Sequence, residues 1–339
     1  MRLFLVRHAE STWNAEGRWQ GQSDPPLSPR GRLQARSLAA RFFGAALERA
    51  LCSDLSRAAE TAAALGATPE PEPRLREIDV GDWAGLPRAE VAERFPEQVR
   101  GLRAGEPVRI GGGESMEEFE SRVDALVDEL RARHAGERVL AVTHGGVVRA
   151  LATRVLGVRG RASPLLGVSN TALSVVAERD GRLALEVYND ALHLEAAPRD
   201  AAGGLGAPEG ATLALVAASA FEEPDRRVAD TLLSWLGIAQ MTAVGAARDT
   251  ALAEQLLADP STEDAATVAR GLDPEAEGGF AIVAPPAEVG SVAAALTGVD
   301  AAGLAEPPHG SVAILRLSRR GAVLGGWGLD VTAAEGLPG

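Results

Sequence analysis

The sequence predicts an α/β fold with three layers, in which helices cover both faces of a mainly parallel sheet. Short apolar runs at residues 3–6, 50–52 and 139–142 have the length of buried strands. Segments with helical spacing of their apolar residues follow these runs, and strands that alternate with helices are typical of a parallel sheet. These two observations set the expected architecture.

Capping residues predict where two of the helices begin. Ser28 followed by Pro29 is typical of an N-cap and the first helical position. Ser115 and Glu118 form a predicted capping box, and apolar residues at helical spacing follow it through residues 119–130. Each helix should therefore present an apolar stripe to the sheet.

The length of 339 residues favours two domains. A hairpin predicted around Asp180-Gly181 closes the first part of the chain. Residues 197–210 are rich in glycine and proline and lack a periodic apolar pattern, which is typical of a linker. We therefore expect a first domain at 1–196 and a second, smaller α/β domain at 211–339.

Charge and cysteine content limit the partners. The net charge is -13, and residues 200–339 carry -12 of it, which argues against a nucleic-acid partner. All 34 basic residues are arginines, and a single cysteine excludes an internal disulfide. No apolar run is long enough for a signal peptide or a membrane span. We expect a cytoplasmic protein without membrane or nucleic-acid partners.

Candidate chemistry lies at the carboxyl ends of three predicted strands, where open α/β sheets bind ligands. Arg7 and His8 follow the first strand, residues 53–57 follow the second, and His144 follows the third. Arginine forks and helix N-termini are suited to phosphate. A neutral imidazole can attack phosphorus and form a covalent intermediate.

Five stretches in order resemble the histidine phosphatase superfamily, the phosphoglycerate mutase-like group, and its broad phosphatase branch. They lie at residues 5–14 (Leu-Val-Arg-His-Ala-Glu-Ser-Thr-Trp-Asn), 17–28, 53–58, 75–85 and 143–146. Their order across the first domain is more specific than any one of them alone. The resemblance implies a histidine phosphatase-like fold and hydrolysis of a small phosphorylated metabolite.

The resemblance also implies residue roles. His8 would be the nucleophile that becomes phosphorylated. Glu77 would be the general acid and base, although Asp79 and Asp82 lie close enough in sequence to be alternatives. No metal or other cofactor is expected, because the histidines and the cysteine show no metal-ligand spacing. The implied phosphate and substrate contacts are Arg7, Asn14, Gln20, Gly21, Arg57, His144 and Gly145.

A phosphoglycerate mutase-type transfer between hydroxyl groups is the alternative within the same superfamily. A mutase must keep its phosphohistidine from water, and it usually carries additional basic residues for a substrate carboxylate. No insertion with such residues is visible, so hydrolysis is favoured. The substrate and the oligomeric state stay open.

The second half repeats the pattern of the first without its reactive residues. Residues 213–218 align with residues 3–8, residues 242–250 with 53–61, and residues 280–286 with 140–146. We therefore expect a degenerate, inactive copy that packs on the first as an intramolecular pseudo-dimer or gates it. The alternative is a regulatory or binding protein in which the C-terminal half carries the main role. The alignment places alanine at all four phosphate-pocket positions, namely Ala217, Ala218, Ala246 and Ala284.

Overall fold

A computed structural model describes most of the chain. The predicted linker at 197–210 and Ala246 lie outside the described residues. Contacts divide the chain into two compact units, the first containing Met1–Arg154 and Val168–Gly181, and the second containing Val155–Val158 and the chain from Arg182. The described residues are 1–159, 165–194, 212–218, 238–243, 247, 258–261, 263–273, 279–308, 311–318 and 321–329.

The first unit contains a five-stranded sheet with the order β3-β2-β4-β1-β5. Neighbouring strands are parallel except β5, which runs antiparallel to β1. The α/β class predicted from the alternating pattern is therefore confirmed. The strands are β1 (Arg2–Arg7), β2 (Arg49–Cys52), β3 (Glu70–Pro71), β4 (Arg138–Thr143) and β5 (Leu173–Arg179).

The predicted helix starts are present. Ser28 accepts a hydrogen bond from the N–H of Gly31 at 2.9 Å, and Ser115 forms a capping box with Glu118. A second capping box, between Ser11 and Asn14, starts a short helix that the sequence pattern did not predict. The helices are α1 (Thr12–Ala15), α2 (Pro29–Phe42), α3 (Ser56–Ala64), α4 (Arg88–Arg94), α5 (Pro96–Ala104), α6 (Met116–Arg133) and α7 (Gly145–Val155).

The core of this unit is built on β1 and β4. Every side chain from Leu3 to Val6 is at most 2% exposed, and β4 is buried from Val139 through Thr143. The predicted stripe of α6, with Phe119 and Leu126 in it, is also buried. Burial of each such side chain contributes about 1.5–3 kcal/mol, so the ends of β1 and β4 are firmly held.

The second unit has the sheet order β6-β12-β11-β7-β10-β8-β9. Strands β7 to β10 pair in parallel, whereas β11 and β12 are antiparallel to their neighbours. Strand β6, which the sequence analysis assigns to the first domain, pairs here with β12. The elements are β6 (Arg182–Asp190), β7 (Thr212–Ala217), β8 (Ile238–Ala243), β9 (Asp259–Pro260), α8 (Ala265–Arg270), β10 (Gly279–Ala284), α9 (Pro286–Thr297), β11 (Val312–Ser318) and β12 (Gly321–Leu329).

An apolar cluster fills one side of this second sheet. Val216, Ala218 and Ala243 are among its members, and each is at most 2% exposed. In the described part of the chain, no helix combines the length and apolarity needed to cross a membrane.

Candidate active site

The two histidines expected at strand ends lie side by side. Strands β1 and β4 are adjacent and parallel, and Arg7 is paired in register with Thr143. His8 and His144 are the next residues, so both leave the sheet at one edge. Their ring centroids are 5.0 Å apart with an interplanar angle of 59°. The sheet therefore brings together residues that are far apart in sequence.

His8 is buried and held in one tautomer. Its Nδ1 lies 2.7 Å from the carbonyl oxygen of Ala9. A carbonyl can only accept, so we assign the proton to Nδ1 and the free lone pair to Nε2. Burial lowers the pKa of His8 well below its usual value, and the nearby charges of Arg57 and Arg7 lower it further. The ring is therefore neutral at physiological pH.

His144 is also neutral. Its Nε2 lies 2.9 Å from the hydroxyl of Ser53, and its buried Nδ1 has no hydrogen-bond partner among the described residues. Burial is the largest cause that lowers the pKa of His144, followed by the positive charge of Arg57. The Nδ1 atom is therefore available for a hydrogen bond to a bound group, and the ring has a low affinity for a second proton.

Arg57 is positioned by main-chain carbonyls. It lies in the first turn of α3 and donates to the carbonyl oxygens of Ser23 at 2.6 Å and Gly21 at 2.8 Å. The carboxylate of Asp24 is 3.8 Å from Arg57. Burial lowers the pKa of Arg57 to about 10, while the charges of Glu77 and Asp24 oppose that shift. The guanidinium therefore stays charged at neutral pH.

Arg7 is the second guanidinium of the site. It donates to the carbonyl oxygen of Val168, and burial lowers its pKa to about 10. The Nε atoms of Arg7 and Arg57 are both buried without a hydrogen-bond partner in the described part of the chain. Buried donors are normally paired, so these two are suited to an anionic ligand.

Glu77 is held by two main-chain N–H groups. Ile78 donates to its Oε1 at 2.9 Å, and Gly146, in the first turn of α7, donates to its Oε2 at 3.0 Å. A Cβ at position 146 would lie 2.0 Å from Oε1, so any larger residue there would displace the carboxyl group. The charge of Glu77 raises the pKa of both Arg7 and Arg57. This coupling distinguishes Glu77 from the neighbouring aspartates.

The two alternative carboxylates have other surroundings. Asp79 accepts the N–H of Gly81 at 3.0 Å and so stabilises a local turn. Asp82 lies in a short 3₁₀ turn and is exposed. Neither is among the charges that influence the buried arginines or histidines, which favours Glu77 as the carboxyl group of the site.

Arg122, which the sequence patterns did not single out, supports the segment that carries Glu77. It donates to the carbonyl oxygens of Arg74 at 2.7 Å and Arg76 at 3.0 Å, and it forms a two-pronged ion pair with Glu114. Its position on α6 is more than 40 residues from Glu77. No local signal connects the two, because the acceptors are main-chain atoms.

The remaining expected contacts surround this centre in different ways. Gln20 accepts a hydrogen bond from the hydroxyl of Ser11 at 2.7 Å. Gly21 has φ of +51°, and a Cβ there would lie 2.7 Å from the Val80 side chain, so its contribution is to present a carbonyl to Arg57. Gly145 lies against Arg7, with an ideal Cβ 3.4 Å from that side chain.

Two neutral imidazoles, two buried guanidiniums and one carboxyl group therefore lie together, a set of groups that can bind a phosphoryl group and that includes an imidazole able to attack phosphorus. In the described residues, no three metal-binding side chains form a cluster. The chain belongs to the histidine phosphatase superfamily, branch 1, whose sequence model matches residues 3–191. This membership confirms the resemblance seen in the five motifs.

Relatives with known names agree with this membership. The chain is 37% identical over 199 residues to phosphoserine phosphatase 1 of Hydrogenobacter thermophilus. This match covers 57% of this chain and 94% of that protein. It is 37% identical to a metal-independent phosphoserine phosphatase of Arabidopsis thaliana, over 57% of this chain and 82% of that protein. It is 34% identical to a probable phosphoglycerate mutase of Enterobacter, over 59% of this chain and 98% of that protein.

Solved structures give the same result. A mycobacterial glucosyl-3-phosphoglycerate phosphatase is 32% identical with a TM-score of 0.51, covering 56% of this chain and 98% of that chain. The alpha-ribazole phosphatase from Shigella flexneri is 26% identical with a TM-score of 0.52, covering 56% and 97%. This chain is a phosphatase that uses histidine-based catalysis.

Proposed function

We propose that the chain hydrolyses a small phosphomonoester through a covalent phosphohistidine on His8. The observation that carries the proposal is the state of His8. Its Nδ1 is bound to a carbonyl oxygen at 2.7 Å, its pKa is lowered, and it therefore keeps a lone pair on Nε2 beside two buried guanidiniums. A nucleophile for phosphorus needs such a lone pair at neutral pH.

In the first step, His8 Nε2 attacks phosphorus, a P–N bond forms, and the bond from phosphorus to the leaving oxygen breaks. The carboxyl group of Glu77 gives its proton to that oxygen, and the product alcohol leaves. In the second step, water attacks phosphorus and gives a proton to the Glu77 carboxylate, while the P–N bond breaks. Inorganic phosphate leaves, and both His8 and Glu77 return to their starting states.

Charge on the transferring phosphoryl group is stabilised by fixed donors. Three buried nitrogens have no hydrogen-bond partner in the part of the chain that the structure describes and are available to a phosphoryl group: Nε of Arg7, Nε of Arg57 and Nδ1 of His144. Asn14 supplies a further amide. Because these groups are already held by the protein, little reorganisation accompanies the reaction, which is the condition for effective electrostatic stabilisation.

The test is a panel of phosphomonoesters assayed for phosphate release by the wild type and by His8→Ala. Phosphoserine and a phosphoglycerate ester belong in the panel because relatives are named for such compounds. The matched control is His134→Ala, since His134 caps the end of α6 and its Nδ1 lies 2.8 Å from the side chain of Glu137. We expect release by the wild type and the control and loss in His8→Ala. Equal release by His8→Ala would overturn the proposal.

Mutase-type transfer is the second candidate, because the match to a probable phosphoglycerate mutase extends over 98% of that protein. Both reactions begin with the same phosphohistidine and differ in what accepts the phosphoryl group. Incubation of the enzyme with a monophosphate that has a free neighbouring hydroxyl distinguishes them. We expect inorganic phosphate as the main product, whereas an isomerised monophosphate would favour the mutase.

We also propose that the second half is a degenerate copy of the same fold. The order β9-β8-β10-β7-β11 repeats β3-β2-β4-β1-β5 with the same parallel and antiparallel pairs. The N–H of His8 donates to the carbonyl of Thr143, and likewise that of Ala218 donates to Ala284. Ala218 thus corresponds to His8.

This register changes two positions of the sequence alignment. Ala284 corresponds to Thr143, so Pro285 and not Ala284 stands in the place of His144. Ala243 pairs with Val283 as Cys52 pairs with Val142, and the same count along the chain moves the counterpart of Arg57 from Ala246 to Arg248, which lies outside the described residues. On this register the predicted set of four alanines is wrong, because alanine stands only in the places of Arg7 and His8. The expected consequence is one phosphohistidine per chain. Trapping two labelled groups per chain, or one in His8→Ala, would contradict the inactive copy.

A further inference from the structure

Asn170 lies just before β5 and contacts two groups of the candidate active site. Its Nδ2 donates to the main-chain oxygen of His8 at 3.0 Å and to Oδ1 of Asn14 at 3.2 Å. We propose that Asn170 is a positioning residue that fixes both the nucleophile and the phosphate-binding amide. The proposal rests on the function proposed above, and none of the five motifs includes this residue.

The first contact acts on the peptide that joins His8 to Ala9. Its oxygen accepts from Asn170, and its N–H, which belongs to Ala9, donates to Oγ1 of Thr61 at 3.0 Å. The same hydroxyl donates to the carbonyl of Arg57 at 2.7 Å. The peptide is therefore held from both sides, and one of its supports also holds the helix that carries Arg57.

The orientation of the His8 ring depends on this peptide. The carbonyl that accepts from His8 Nδ1 is that of Ala9, directly after the held peptide. A rotation of the peptide would move that carbonyl and release the ring from its tautomer and direction. Asn170 thus acts on the lone pair of His8 through the main chain.

The second contact acts on the amide of Asn14. Its Oδ1 accepts the N–H of Ser11 at 3.2 Å as well as the Asn170 donor. Both donors meet the oxygen, which fixes the side-chain amide with its Nδ2 directed away from them. An amide nitrogen has two N–H donors, and these are the groups that a phosphoryl oxygen requires. Without Asn170 the amide of Asn14 loses one of the bonds that decide its orientation.

The backbone beside Asn170 is strained, which indicates that the segment is held firmly. Thr171 has φ of +59°, a conformation that is an outlier for a β-branched residue. Its N–H donates to the carbonyl of Arg7 at 3.1 Å, and Arg7 in turn donates to the carbonyl of Val168. Strain persists where surrounding contacts over-determine a conformation, and here those contacts are with Arg7 and His8.

The experiment compares Asn170→Asp and Asn170→Ala with the wild type in the full chain. The aspartate keeps the size and shape of the side chain and replaces the amide donor by acceptor oxygens. We expect the single-turnover rate of phosphohistidine formation to fall about 10- to 100-fold in both, the scale of a misplaced reactive group. KM should rise as well, because Asn14 loses its orientation.

A double-mutant cycle with Asn14→Ala separates the two effects. If Asn170 acts on binding through Asn14, the KM of the double variant should match that of Asn14→Ala, while the loss in phosphorylation rate remains. The matched structural control is Asn189→Asp. Asn189 also has positive φ, and its amide donates to the carbonyl of Gly325 at 2.9 Å in the second unit. It should lower Tm without changing the phosphorylation rate.

A wild-type phosphorylation rate in Asn170→Asp would overturn the positioning role. So would a loss that Asn189→Asp reproduces at the same decrease in Tm. If the wild type itself forms no phosphohistidine, the proposed function fails. If the wild type forms it and Asn170→Asp does so at the same rate, only the positioning role fails.

Discussion

Replacement of Gly146 by alanine should lower the activity strongly and leave the fold intact. The added Cβ would lie 2.0 Å from Oε1 of Glu77, whereas real Cβ atoms essentially never approach within 3.0 Å. The carboxyl group must therefore retreat by about 1 Å, and it also loses the well-aligned N–H of Gly146. A displacement of this size costs about 10²-fold in rate, which corresponds to about 2.7 kcal/mol of activation free energy.

The stability of Gly146→Ala should be equal to or higher than that of the wild type, although its activity falls. Alanine is favoured over glycine within a helix by up to about 1 kcal/mol, and residue 146 lies in the first turn of α7. The control is Gly290→Ala in α9, where an ideal Cβ would be 3.8 Å from Trp327, an ordinary contact. Thermal unfolding of both variants, followed by circular dichroism, checks that the loss of activity is not a loss of folded protein.

The assay is kcat/KM with two substrates that differ in their leaving group. An aryl phosphate expels a stable phenolate and needs little help from an acid, while an alkyl phosphate needs the proton of Glu77. Gly146→Ala should therefore lose much more rate with the alkyl ester. An equal loss for both esters, or a loss of less than threefold, would refute the assigned role of the carboxyl group.

Three further predictions concern other contacts of the site. The pKa values of His8 and His144 are lowered in the folded protein, so the unfolded chain binds more protons than the folded chain below pH 6.5. The free energy of unfolding should therefore fall by up to about 1.4 kcal/mol per histidine for each pH unit of acidification. A His8→Asn variant should show a shallower decrease of Tm as the pH falls. Arg122→Lys loses the fork that holds Glu114, and its stability in urea should fall by about 1–3 kcal/mol together with kcat; an unchanged kcat would contradict its support of the active site. Ser53→Ala leaves Nε2 of His144 without its partner, and we expect a loss of about 1–2 kcal/mol in the same measurement.

Much of the site could be predicted because strand ends and reactive residues coincide in the sequence. Arg7-His8 and His144 directly follow apolar runs, and parallel strands bring such ends to one edge. Helices α4 and α5 were not predicted, since the segment 88–104 is rich in charged residues and contains Pro96, and its buried positions are few.

The supporting residues could not be found by the same means. Asn170 and Arg122 act on main-chain carbonyls, which every residue has and no motif records. Their importance depends on which distant carbonyl lies within reach, and that follows from the packed structure alone. The same reason explains the register of the second sheet, where an abundance of alanine let the alignment shift by one or two residues without penalty.

The pairing of the strand Arg182–Asp190 affects how a shortened form of the protein would behave. It lies within the stretch that the superfamily model matches, yet it pairs with β12, which is encoded near the far end of the chain. A fragment that ends where the family match ends would carry this strand as an unprotected edge, which invites association between copies. The family match thus ends within the second compact unit and not at a boundary between units.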